Sequence, residues 1–259
     1  MNNFKQGMSM TTKHHFRMHA AGTMIAAIFL MATTNASALP YYYTDWTSWN
    51  PGNGTAVGTI TPSSGPAVTV NFDAITAAGS NGSFLGVVDN WLWKPVSTYQ
   101  STQVDNAPGF EGLQLVGTPN MTYRVTLSEA IKDPIMAIAT LGSGGDSATY
   151  VFNAPFTILS QGASCCWGGT DHSLIQQPGN VLEGWEGSGI IQFIGTYNTF
   201  SWTVPNPEYW HGFTFGIRTT EALEPTPPTN GVPEPASLLL LGIGLAGLGV
   251  MRYKKSLVA

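Results

Sequence analysis

Cysteine is nearly absent from this sequence: two residues in 259, side by side at Cys165 and Cys166. No Cys-x2-Cys pair and no His-Glu-x-x-His run occurs, so the common zinc sites have no ligands here. No Gly-x-Ser-x-Gly nucleophile elbow is present either. Charge is scarce, at 10% of residues. Between residues 39 and 231 the basic side chains are only Lys94, Arg124, Lys132 and Arg218, against fourteen acidic ones, a net charge of −10. That shortage of cations argues against nucleic acid and an anionic membrane surface as partners of this stretch. Sustained helical periodicity is also missing; Ser128–Lys132 alone predicts a single helical turn before Pro134.

Glycine, proline and aromatics are abundant instead, and all eight tryptophans lie between residues 46 and 210. A stretch with many aromatics and little charge buries a core and does not stay disordered. Residues 67–72, 121–127, 134–141, 156–159, 189–194, 200–204 and 213–218 read as strands, short and β-branched or alternating, with Gly, Pro or Asn between them. Within 74–110 the pattern is less regular, and Trp91-Leu92-Trp93 is the expected buried anchor. This spacing predicts an all-β fold: a single antiparallel β-sandwich, jelly-roll-like, over residues 39–220. A Pro-rich, extended linker follows at 221–231.

Both ends read as targeting segments. A basic stretch from Lys13 to Arg17, an apolar run over about 20–32 and Ala36-Ser37-Ala38 form a secretory signal peptide at residues 1–38, with cleavage after Ala38. At the other end Val232-Pro233-Glu234-Pro235 precedes an uncharged run, 236–251, and then Arg252, Lys254 and Lys255. As a helix that run spans about 24 Å at ~1.5 Å per residue, slightly short of a hydrocarbon core of about 30 Å. The basic cluster marks its cytoplasmic side, with 256–259 as the cytoplasmic end. Gly242-x-Gly244-x-x-Gly247 fits a dinucleotide fingerprint in letters only, since no strand, crossover or downstream acidic residue accompanies it.

The tail at 232–255 resembles the PEP-CTERM sorting motif, which is also catalogued as an ice-binding protein C-terminal motif. The resemblance implies recognition by an exosortase-like enzyme, insertion in the inner membrane with the body in the periplasm, and delivery to the cell surface or an exopolysaccharide matrix. It implies an address and no chemistry. The stretches 154–162, 186–204 and 208–217 resemble sandwich domains that recur in proteins with this tail.

Candidate chemistry is sparse. Cys165 and Cys166 form a strained vicinal disulfide, an intermolecular bond or two free thiols; adjacent Cα atoms, about 3.8 Å apart, sit below the usual disulfide range of roughly 4.4–6.8 Å. Bonded, they make a flat apolar knob that stacks on a sugar beside Trp167. Trp46 and Trp49, in the aromatic start Tyr41–Trp49, serve as sugar contacts or fill the core. Glu183, Glu186 and Asp171 are the carboxylates a polysaccharide hydrolase would use. His172 and His211 are the only histidines after residue 38, and either completes a Cys/His pair on paper. Calcium held by acidic loops is compatible with the composition, although no EF-hand loop occurs. The expected function is therefore an exported structural or carbohydrate-interacting protein, with no catalytic residue, no metal ligand and no cofactor. The competing expectation is a surface polysaccharide hydrolase.

Overall fold

The structure is a computed structural model that describes residues 38, 40–206 and 208–218. The first strands are β1 Tyr42–Tyr43, β2 Asp45–Asn50, β3 Thr55–Ile60, β4 Val68–Thr76 and β5 Gly86–Val88. The middle of the chain forms β6 Gly112–Gly117, β7 Met121–Lys132, β8 Ile135–Leu141, β9 Ala148–Phe152 and β10 Phe156–Gly162. Then come β11 Leu174–Gln177, β12 Val181–Gly184, β13 Gly187–Phe193, β14 Thr196–Thr203 and β15 Glu208–Ile217. Two antiparallel sheets result. One runs β10-β13-β8-β15-β6-β5, with β1 added on β15; the other runs β11-β12-β9-β14-β7-β4-β3-β2.

Each sheet follows from its side-chain pattern. In β4 and β7 buried and exposed positions alternate, because the outer face of the eight-stranded sheet is open to water. Val70, Phe72, Tyr123 and Val125 point inward and meet Leu115, Phe213 and Phe215 from the other sheet. β8 is different: all seven of its residues are buried. Met136, Ile138 and Leu141 face the space between the sheets. Ile135, Ala137 and Ala139 face outward, beneath a second layer made by Tyr41, Tyr43, Leu92, Trp93 and Tyr99. An apolar run, broken here only by the hydrogen-bonded Thr140, is what a doubly covered strand requires.

Small residues under that layer admit its large rings. A Cβ on Gly112 would lie 2.7 Å from the Trp93 ring, and one on Gly212 would lie 2.8 Å from Leu92 Cδ2. Trp93 Nε1 donates to the Phe110 carbonyl at 2.7 Å, so the buried indole keeps its hydrogen bond.

Three sequence expectations are corrected. The helical turn at Ser128–Lys132 is the end of β7; Ile131 is buried and pairs with Tyr197 across an irregular register, so tertiary pairing overrides local propensity. In the anchor only Leu92 and Trp93 are buried, while Trp91 is 43% exposed. Trp46 is 1% exposed, with its ring edge-on to Phe213 in the core, so it offers no sugar contact. Among the described residues no helix is long and apolar enough to cross a membrane. The membrane helix expected at 236–251, the sorting residues from Val232 to Lys255 and the signal region apart from Ala38 lie outside the described residues.

Candidate functional site: a tryptophan stack beside a vicinal disulfide

The connection between β10 and β11 closes on itself. Ser164 N donates to the Gly168 carbonyl at 2.6 Å, and Trp167 N donates to Ser164 Oγ at 3.0 Å. Gly168 and Gly169 take φ of +100° and +84°, a region open to glycine at little cost. Thr170 N donates to Ser173 Oγ at 2.7 Å, closing the next turn. Inside this loop Cys165 and Cys166 are bonded to each other, with Cα atoms 3.7 Å apart, and both are exposed.

The loop delivers Trp167 between two other indoles. Its ring stacks on Trp91 at 5.6 Å between centroids and 30° between planes. On Trp210 the separation is 4.4 Å, with a tilt of 31°. Trp91 comes from the 3-10 turn Asn90–Trp93 of the covering layer, and Trp210 from β15. Trp167 and Trp210 are half-buried. Cys165 Sγ lies 4.0 Å from the Trp91 carbonyl oxygen; a bonded sulfur has no proton to donate, so this is a packing contact. Three segments far apart in sequence thus bring three indoles and a disulfide to one surface, with Trp91 the most exposed ring. Such a surface suits the apolar face of a pyranose ring. Trp49, 49% exposed, stands on the edge strand of the other sheet, and no ring contact joins it to the stack.

The expected carboxylates do not share one setting. Glu183, on β12, accepts from Gln177 Nε2 at 2.9 Å and from Trp185 Nε1 at 3.1 Å. Hydrogen bonds from Gln177 and then Ser147 hold its carboxyl below the usual range, the reverse of what a general acid needs. Glu186 instead reaches the seven-stranded sheet, where it accepts from Thr140 Oγ1 on β8. Asp171 is exposed and lies 3.7 Å from His172 Nε2. Among the described residues no group of three His, Cys, Asp or Glu is placed to hold a metal ion.

His211 is wholly buried, with Nδ1 2.8 Å from Glu208 Oε2. A register shift between Glu208 and His211 puts both side chains on the same side of β15. The approach is at ion-pair distance but off the line of a hydrogen bond. The Tyr150 ring packs edge-on to His211 at 5.3 Å. At the other end of β15, where Tyr42 pairs with Ile217, a cavity of about 320 Å³ opens between Tyr42, Asp45, Thr59, Asn106 and Phe110. It holds none of the residues singled out for chemistry.

Fold and surface together define an all-β sandwich domain with a cluster of three tryptophans on one face. What the protein carries beyond that domain is shown by a family model, the PEP-CTERM protein-sorting motif, which matches residues 231–255. The motif implies export and membrane-associated sorting by an exosortase-type enzyme. No curated protein and no solved structure matches the chain.

Proposed function

We propose that the protein is a cell-surface or exopolysaccharide-matrix component whose sandwich domain binds glycan chains without catalysis and without a cofactor. The observation that carries this reading is the stack of Trp91, Trp167 and Trp210, exposed at Trp91 and flanked by the exposed disulfide. Its placement supports the same reading. Arg218, from which the chain passes to the linker, lies eight residues beyond Trp210, about 26 Å along a strand at ~3.3 Å per residue. The aromatic face thus lies at the opposite end of β15 from Arg218.

The test is calorimetric titration of purified protein with soluble oligosaccharides, with reducing-end release followed in parallel. Binding is expected with no turnover. Trp91→Ala should weaken it about fivefold, the worth of one aromatic contact of ~1 kcal/mol. Turnover lost on Glu186→Gln or Glu183→Gln would overturn the non-catalytic reading. Equal affinity for wild type and Trp91→Ala would remove the stack from the site.

A further inference from the structure

Thr140 and Glu186 take φ of +54° each, in the left-handed region that side-chain-bearing residues rarely enter. Thr140 is β-branched, which makes its conformation costlier still. The two are joined directly: Thr140 Oγ1 donates to Glu186 Oε2. Thr140 N in turn donates to Ser188 Oγ at 3.0 Å, deep in the covered face. Strain held in contact by a buried network is an over-determined feature, and such features collect at binding sites.

The pair and the tryptophan stack share one end of the seven-stranded sheet. Ala139 pairs with Gly212, so Thr140 and Trp210 occupy the same end of adjacent strands. A Cβ on Gly169, two residues after Trp167, would stand 2.5 Å from the Glu186 carbonyl oxygen, so the disulfide loop rests on the Glu186 backbone. Glu186 is half-buried, and among the described residues no Lys, Arg or His nitrogen lies within ion-pair reach of it. A carboxylate oriented by a hydroxyl, short of a cation and at the same end of the sheet as the indoles meets the requirements of a cationic ligand. The ammonium gains from the carboxylate and from the ring faces alike. Asp89 and Asp171 are exposed on the two segments that bring Trp91 and Trp167, with Lys94 on the first and His172 beside Asp171 on the second.

We infer that Glu186, positioned by Thr140, makes this face selective for an amino-bearing glycan over neutral and uronate glycans. The inference rests on the glycan-binding reading and adds its ligand class. Thr140 is a positioning residue; Glu186 makes the contact.

The full-chain protein is titrated at mildly acid pH with three probes: a glucosamine oligomer, its N-acetylated counterpart and a galacturonate oligomer. The glucosamine oligomer is expected to bind about tenfold tighter than the acetylated one, as for a hydrogen bond to a charged group. That preference should fade in about 1 M NaCl, where charges more than ~3 Å apart are screened. Glu186→Gln should erase it. Thr140→Val, which keeps the branched shape and removes the hydroxyl, should reduce the preference without abolishing binding. Equal affinity for the two glucosamine-type oligomers, both weakened by Trp91→Ala, would overturn the inference and leave the aromatic site standing. Tightest binding of the galacturonate oligomer would also overturn it. No binding of any probe would remove both the inference and the reading beneath it.

Discussion

At the scale of single residues, the buried Glu208–His211 pair bears directly on stability. Its side chains are 7% and 0% exposed, and the Tyr150 hydroxyl beside them has no partner. Removing one member strands the other in the core, so His211→Ala should cost about 3–5 kcal/mol in urea unfolding. Glu208→Gln combined with His211→Ala should cost less than the sum of the two, since each single change leaves the other side chain without its partner. A purely additive result would mean that the pair is not coupled. Tyrosines give a second prediction. Burial raises the phenols of Tyr43, Tyr99 and Tyr150 and pushes Tyr123 up to about 12. An unfolded phenol titrates near ~10, so the neutral form is favoured by the fold. The contribution is complete below about pH 10 and is lost as pH rises through the folded values. Tyrosinate absorbance from these rings should therefore appear together with loss of the β signal in circular dichroism. Ionisation of these rings with the fold intact would contradict the burial assigned to them.

At the scale of elements, the disulfide loop and the covering layer behave differently. A bond between neighbours closes almost no chain, and disulfide stabilisation grows with the loop closed. Reduction of Cys165–Cys166, or Cys165→Ser with Cys166→Ser, should therefore leave the melting temperature nearly unchanged. The loop itself loses a constraint next to Trp167, so tryptophan emission should shift to the red and glycan affinity should fall. A large drop in melting temperature would instead make the bond part of the core. The covering layer has no such latitude. Gly112→Ala drives a methyl group against Trp93 and Leu92, with the Phe213 carbonyl 3.3 Å behind, and overpacking of this kind costs about 1–3 kcal/mol. Denaturant unfolding measures it.

At the scale of the whole molecule, address and activity are separable. Export and membrane-associated sorting follow from residues 231–255, while all the described strands lie within residues 42–217. A chain lacking 231–255 should keep its β signal and its glycan affinity and lose membrane-associated sorting, as read by cell fractionation with intact mass. Loss of binding along with sorting would mean that the tail takes part in the site. The charge of −10 over residues 39–231 sets the complementary expectation that affinity for a cationic glycan falls as salt rises.

The sequence by itself determined the fold class and the address. Alternation in Met121–Leu127 marks a half-buried strand because a pleated strand has a period of two, and the tail is legible because its signal is contiguous. Local pattern also marked Cys165-Cys166-Trp167 as unusual. It did not separate Trp91 from Trp93, because a turn lacking a regular period does not reveal which ring faces the sheet. Nor did it distinguish a core Trp46 from an exposed Trp49 three residues later. Only the tertiary structure decided that Trp91, Trp167 and Trp210 meet and that Thr140 holds Glu186. Those contacts join residues 43 to 76 positions apart, through strand order and register, which no local pattern encodes. A polymer's local preferences are written in neighbours, and its surfaces are assembled from segments that are not.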